Sequence, residues 1–337
     1  MIPPEFGKVA EIVLEDMLLL KPKENLVILM DARTPIEIGH AYANVAISKG
    51  AETSLVQVPV IPYGRLEPPG PIRAALKEAD AIVAMWIGYA DCLSDAVERG
   101  VRVIGSLNGP DMPDVLIRTI GKTDVHKLSK EAEKIAELWT NANTAKITSP
   151  HGTDIEMNVK GITGFSLDGF LRPESGKYQD FLPPATPGIV DTVPANGKIA
   201  LDGRISCGDL GISAIPNEPV VLTVEKSKIT AIKTDRVVMP VLKYQLDKVK
   251  DPNVYAAPAH VIIGTNPNAR LGVTWEWERF RGAMVFGFGN NYHLSKYVGQ
   301  RPKKIETKAK IHWDGQILMP TLYLDDELVI ENGEIKI

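Results

Sequence analysis

The first 143 residues alternate short apolar runs with amphipathic segments, and this alternation constrains the fold more than any other feature of the sequence. The apolar runs predict strands at 25–31, 53–60, 81–86 and 101–105, while helical spacing predicts helices at 6–20, 35–49, 71–78, 91–98 and 127–143. Strands that alternate with helices favour a mostly parallel sheet with right-handed crossovers. We therefore predict an α/β domain over residues 1–143.

Loops at the carboxyl ends of parallel strands commonly bind ligands, and here they are residues 31–33, 86–88 and 106–109. The alternation of strands and helices predicts a Rossmann- or flavodoxin-like domain. None of its loops is a Gly-x-Gly-x-x-Gly or Walker phosphate loop, so the sequence indicates no nucleotide cofactor. His40 and His126 lie in predicted helices and have no partner at ligand spacing. Both are interpreted as surface or locally hydrogen-bonded histidines.

The second part of the chain has a different pattern. Short strands separated by Gly, Pro and Asn turns are predicted at 145–148, 153–160, 198–202, 219–224 and 228–232. We predict that residues 144–337 form a strand-rich α+β domain that binds metal and carries the chemistry. A length of 337 residues is sufficient for two such domains.

Composition excludes several classes of protein. A net charge of −4 argues against a nucleic-acid binder, and no apolar run approaches the roughly 18 residues of a membrane span. Cys92 and Cys207 are too few for a disulfide framework. Together with an amino terminus that lacks a secretion signal, these observations predict a cytoplasmic protein.

The segment Ile311–Gly315 contains His312 and Asp314 at a spacing that suits a metal site. In a strand, residues two apart point to the same face and lie roughly 6–7 Å apart, at about 3.3 Å per residue. His260, which opens the apolar run Val261–Ile263, is the best third ligand. Two histidines and one carboxylate form the facial triad of non-haem Fe(II) oxygenases. A solvated surface strand would show the same His-x-Asp spacing.

Two further polar residues are candidates for roles beside such a site. Glu278 could orient a metal-bound histidine, or form a surface salt bridge with Arg279 or Arg281. His293 follows a glycine-spaced segment and is either an acid/base that faces the substrate or a solvated loop histidine.

Several motifs in the second part resemble the aminopeptidase T-like metallopeptidase family. They are Gly152-Thr153-Asp154, the segment Gly264–Ala269, Glu278 followed by Gly282, Gly289-Asn290, and His312-x-Asp314. The resemblance implies two metals held by Glu, His and Asp ligands, but this chain departs from that pattern. His260 replaces a family Glu, Val285 stands near a family His and Ile189 near a family Glu. The departures leave a single three-ligand site.

A single metal site of this kind is similar to that of the 2,5-dihydroxypyridine 5,6-dioxygenases, relatives of these peptidases. Asp191-Thr192-Val193-Pro194 resembles their Asp-His-Trp-Pro segment, with Thr192 in place of the histidine. The resemblance implies that Fe(II) at His260, His312 and Asp314 opens the ring of a small hydroxylated aromatic with O2, in an extradiol-type reaction. Mn(II) and Zn(II) are the alternative metals.

The resemblance also implies a homo-oligomer, and it leaves the acid/base residue open among His293, Asp191 and Thr192. Two other functions are compatible with the sequence. One is a metal-dependent aminopeptidase or amidohydrolase in which Glu278 acts as general base on metal-bound water. The other is a non-catalytic protein that binds a metal or a small molecule.

Overall fold

The computed structural model describes residues 3–60, 67–85, 90–106, 109–233, 236–272, 275–292 and 305–337. The α-helices of these residues, α1 to α7 in chain order, are Phe6–Ile12, Ile36–Ser48, Gly70–Ala75, Asp91–Glu98, Met112–Leu116, Val125–Asn141 and Val238–Val249.

The strands of the described residues are numbered β1 to β20. They are Asn25–Asp31, Glu52–Val58, Ala81–Met85, Arg102–Ser106, Thr144–Thr148, Asp154–Asn158, Phe165–Leu167, Gln179–Leu182, Thr186–Ile189, Ala195–Leu201, Ile205–Cys207, Ile212–Ala214, Val220–Glu225, Lys228–Lys233, His260–Ile263, Met284–Gly289, His312–Ile317, Thr321–Leu324, Glu327–Glu331 and Glu334–Ile335.

The chain divides into two compact units. The first contains Met1–Ser129 and Leu167–Ala185, and the second contains Lys130–Ser166 and Thr186–Ile337. The division into domains 1–143 and 144–337 that we derived from the sequence stays a prediction.

The first unit is built on a five-stranded parallel sheet of order β2-β1-β3-β4-β8. Residues 81–85 of β3 are buried throughout, as are 26–31 of β1, because helices cover a parallel sheet on both faces. This arrangement confirms the predicted parallel α/β architecture. The first predicted helix is shorter than expected, since α1 ends at Ile12 and a π-helical turn follows over Val13–Met17.

The second unit is strand-rich, as predicted. One of its sheets has eight strands in the order β14-β13-β10-β6-β5-β18-β19-β20, all joined by antiparallel pairings. The other has seven strands in the order β12-β11-β17-β16-β15-β9-β7. Within it β15, β16 and β17 are antiparallel neighbours. The predicted metal ligands lie on the two outer strands of the three, His260 on β15 and His312 and Asp314 on β17, with β16 between them.

The far face of β17 is fixed by an aromatic residue. Trp313 is fully buried, stacks on Phe288 at a ring-centroid distance of 4.1 Å, and donates its indole N–H to the carbonyl of Val254 at 2.9 Å. Because strand side chains alternate, a buried Trp313 turns its neighbours His312 and Asp314 to the opposite face.

No helix of the described residues combines the length and the apolar character needed to cross a membrane.

Candidate metal centre

His260, Gly287 and Asp314 lie side by side on three neighbouring strands. His260 is the register partner of Gly287, and Gly287 is the register partner of Asp314. Residues paired in an antiparallel sheet direct their side chains to the same face. His312, two residues before Asp314 and paired with Gly289, shares this face. The sheet therefore brings the three predicted ligands together.

Glycine at position 287 allows the side chains of His260 and Asp314 to come together. A Cβ atom built there would lie 2.1 Å from Cδ2 and 2.3 Å from Nε2 of His260. The imidazole of His260 thus lies over the middle strand, where any larger residue would put its side chain. From there it reaches Asp314 on the far strand.

The ligand atoms converge on one carboxylate oxygen. Oδ1 of Asp314 is 2.9 Å from Nε2 of His260 and 3.0 Å from Nε2 of His312. One ligand atom from each of the three residues lies within 4.8 Å of the others. The imidazole rings are 5.2 Å apart between centroids and inclined by 27°. All three side chains are buried.

The hydrogen bonding of His312 shows that the site suits a cation. Its Nδ1 donates to the main-chain carbonyl of Asn290 at 2.6 Å, because a carbonyl oxygen can only accept. Nε2 therefore faces Oδ1 of Asp314, and this contact is favourable with a positive charge between the two atoms, either a proton on Nε2 or a metal ion. An outward hydrogen bond of this kind is typical of metal-binding histidines.

The contact distances agree with cis ligands on one ion. Two ligand atoms about 2.1 Å from a divalent metal and at about 90° to each other are roughly 3 Å apart. The two contacts of Asp314 have this length. The residues present therefore fit a single metal with two histidines and one carboxylate.

The electrostatics of the site favour the metal-binding protonation states. Burial lowers the pKa of His260 and outweighs the opposing effect of Asp314, which favours the neutral imidazole. Burial alone would raise the pKa of Asp314, but His312 and His260 hold it well below its usual range. Neutral imidazole and ionised carboxylate are the forms that bind metal.

Glu278 lies in the short 3-10 segment Trp275–Arg279 and is ion-paired with Arg279. The predicted surface salt bridge is thus a buried one, since the side chains of Glu278 and Arg279 are only 14% and 4% exposed. Burial, with a contribution from the charge of Asp314, raises the pKa of Glu278 to about 7. In the described part of the chain its hydrogen bond goes to Arg279 and not to a histidine.

Asp191 and Thr192 hold the segment that leads into β17. A carboxylate oxygen of Asp191 accepts from the amide of Ile305 at 2.7 Å, and the hydroxyl of Thr192 lies 2.9 Å from that of Thr307. Neither of these two hydrogen bonds involves one of the three metal ligands. His293, the remaining predicted acid/base, lies outside the described residues.

Ile189 and Val285 occupy positions where the peptidase pattern has ligands. Both are fully buried. Val285 is on the same face as Gly287 but belongs to an apolar cluster with Ile262 and Trp277. Apolar side chains offer no ligand atom, so neither position supports a second metal.

The free cysteines are poor metal ligands here. Burial raises the pKa of both Cys92 and Cys207 to about 12, which keeps the thiols protonated. Cys207 lies close to the centre, but its Sγ donates to the carbonyl of His312 at 3.4 Å.

The residues that support the ligands were not predicted from the sequence. Asn291 is fully buried. Its Nδ2 lies within 3.2 Å of the carbonyl oxygens of Val190, Ala259 and Ile305. Its Oδ1 accepts a hydrogen bond from the amide of Thr307 at 2.7 Å. It thereby joins the segments that precede β15 and β17. The glycine-spaced run before it was noted in the sequence, yet an asparagine there has no recognisable spacing to a ligand.

Comparison with known proteins gives a consistent result. The family model of 2,5-dihydroxypyridine 5,6-dioxygenase (NicX) matches residues 13–337. None of the curated proteins matches the sequence.

Two solved structures are similar along almost the whole chain. One is 2,5-dihydroxypyridine dioxygenase from Pseudomonas putida KT2440, with 19% identity, a TM-score of 0.75 and coverage of 98% of this chain and 96% of that chain. The other is wild-type AmpT from Thermus thermophilus, with 14% identity, a TM-score of 0.67 and coverage of 99% of both chains. At these identities the likeness shows a shared fold.

Proposed function

The chain belongs to the 2,5-dihydroxypyridine 5,6-dioxygenase family, and from that premise we propose that it opens the ring of a hydroxylated pyridine with O2 at one ferrous ion held by His260, His312 and Asp314. The observation that carries the proposal is the convergence of three ligand atoms within 4.8 Å on one face of the sheet. Two imidazoles and one carboxylate are the ligand set of non-haem Fe(II) oxygenases, in which open positions remain for substrate and O2.

When bound, Fe(II) would supply the redox chemistry that couples oxidation of the ring to reduction of O2. Imidazole and carboxylate ligands also suit Mn(II) and Zn(II), so the choice of iron rests on the family and on the reaction. The substrates are a small aromatic and O2.

The protein's own residues prepare the site for these reactants. The lowered pKa values of Asp314 and His260 favour an ionised carboxylate and a neutral imidazole. The carbonyl of Asn290 holds the ring of His312 in one orientation, which keeps Nε2 directed at Asp314. Groups held in this way need no rearrangement when metal and substrate bind.

Proton transfer from the substrate hydroxyl requires a base near the site. Glu278 has a pKa of about 7, close to the value that suits a general acid/base at neutral pH. We retain His293, Asp191 and Thr192 as further candidates from the sequence pattern. For Asp191 and Thr192 the described contacts support a role in holding the 305–307 segment.

A homo-oligomeric assembly and a cytoplasmic location remain proposals from the sequence. The first rests on the family resemblance and the second on the low cysteine content.

Metal analysis and oxygen uptake together test the proposed function. Protein purified without oxygen should contain close to one iron per chain and should consume O2 with 2,5-dihydroxypyridine or a close analogue. Two zinc or cobalt ions per chain together with peptide cleavage would support the hydrolase instead. Metal binding without turnover of either substrate class would indicate a non-catalytic binder.

A further inference from the structure

The row of residues that forms the metal centre continues onto two more strands. Ser206 on β11 is the register partner of Asp314, and Ser213 on β12 is the register partner of Ser206. Partners in antiparallel strands share a face, so both serine side chains lie on the face of the metal ligands.

Arg204 lies over the same face. Its carbonyl accepts from the amide of Gln316 at 2.9 Å, and its amide donates to Oε1 of Gln316 at 3.2 Å. Its Nη1 donates to the hydroxyl of Ser213 at 3.1 Å. The guanidinium thus contacts the serine row at Ser213, one strand farther from Asp314 than Ser206.

The guanidinium has no negative partner in the described part of the chain. Arg204 is only 6% exposed, its Nε is buried without an acceptor, and Nη2 bonds to no described residue. Burial lowers the pKa of Arg204, and no carboxylate of the described residues counteracts the shift. A buried cation without a partner is unfavourable, and natural proteins rarely retain one without a use for it.

The hydroxyl of Ser206 is also unused. Its side chain is buried beside Asp314, and it makes no hydrogen bond to any described residue. A hydroxyl can donate to an anion that already pairs with an arginine.

We propose that Arg204 and Ser206 form a subsite for a carboxylate carried by the substrate, so that the natural substrate is a hydroxylated pyridine with an acidic substituent. This inference rests on the proposed function. Among the described residues Nε and Nη2 of Arg204 have no acceptor, and two adjacent guanidinium N–H groups are the pattern that a planar carboxylate accepts in a bidentate manner. The subsite binds the acidic end of the ring system while the ring hydroxyl faces the metal ligands.

Equilibrium binding tests the subsite without turnover. The Fe(II)-loaded protein is titrated in the absence of oxygen with 2,5-dihydroxypyridine and with its three monocarboxylated derivatives. We expect at least one derivative to bind more tightly than the parent compound. Arg204→Met should weaken binding of that derivative by about 30-fold, the loss expected when one partner of a buried charge pair is removed. Its effect on the parent compound should be much smaller.

Other variants separate charge from folding. Arg204→Lys keeps the charge without the bidentate edge and should give an intermediate loss. Ser206→Ala should weaken binding of the derivative by about tenfold, as for a hydrogen bond to a charged group. Arg236→Met, which alters an exposed arginine of the same unit, is the matched control and should bind like the wild type.

The possible outcomes decide between the two proposals. Equal affinity of the wild type for all four compounds would overturn the subsite, and this comparison does not depend on the folding of a variant. An Arg204→Met variant that still prefers the carboxylated derivative would also overturn it. Oxygen uptake with the parent compound reports on the proposed function separately. If the carboxylated derivative binds more tightly only when Arg204 is present, and no compound is turned over, the subsite is supported and the proposed dioxygenase activity is contradicted.

Discussion

The imidazole of His260 occupies the space that a side chain at Gly287 would need, since a Cβ atom at position 287 would lie 2.1 Å from its Cδ2 atom. Gly287→Ala should therefore displace His260 and abolish metal binding, and overpacking of this kind costs about 1–3 kcal/mol of stability. Metal content after reconstitution and the urea unfolding midpoint measure the two effects. Gly7→Ala is the matched control, because a Cβ there meets nothing within 4 Å. A Gly287→Ala protein with full metal content would contradict the geometry.

His312→Ala should abolish both metal binding and oxygen uptake. The substitution removes one of the three ligands, the imidazole that the carbonyl of Asn290 orients. The variant is loaded with Fe(II) without oxygen, and iron per chain is determined before oxygen uptake is measured. His40→Ala alters an exposed helix histidine and should retain both properties. Undiminished iron in the His312→Ala protein would mean that the metal binds elsewhere.

The sequence predicted the α/β sheet because its strands are continuous apolar runs, but it did not reveal β8. Gln179 and Asp180 interrupt the apolar pattern there, and both are buried. Asp180 can be buried because Lys177 pairs with it at 2.5 Å and the amide of Gly169 donates to it at 3.0 Å. Such compensation comes from residues that meet only in the folded chain.

The same distinction applies to the candidate centre. His312 and Asp314 were recognisable because a two-residue spacing places both on one strand face. The contribution of Gly287 depends on its register with His260 and Asp314, which no single strand reveals. Asn290 acts through its main-chain carbonyl, a group that every residue has. The contributions of main-chain groups and of strand register to the metal centre could therefore be recognised only in the structure.

Asn291→Ala should destabilise the second unit and weaken metal binding. The side chain provides the acceptor for the amide of Thr307 and lies against three carbonyls, so its removal leaves buried polar groups without partners. Each such group costs about 1–3 kcal/mol. Urea unfolding of the metal-free protein should show a lower midpoint, whereas Asn217→Ala, at an exposed position, should not change it. An unchanged midpoint for Asn291→Ala would show that the carbonyls find other donors.

Glu278 has a raised pKa, about 7 in the folded protein against about 4.3 for an ordinary glutamate. Between these values the folded state holds a proton that the unfolded state has lost. The contribution of Glu278 to stability is therefore fully present below about pH 4 and is lost as the pH rises through 7. The whole effect is on the order of 4 kcal/mol.

Glu278→Gln should remove this pH dependence, because a glutamine cannot ionise. The free energy of unfolding is measured for the metal-free wild type and the variant between pH 4.5 and 8. The wild type should lose stability relative to the variant as the pH rises, since only the wild type must then hold a buried carboxylate beside Asp314. Glu327→Gln, which replaces a glutamate on the exposed side of β19, is the control. If the free energies of unfolding of the wild type and Glu278→Gln differ by the same amount at every pH, Arg279 keeps Glu278 ionised throughout. Glu278 would then be unsuited to proton transfer near neutral pH.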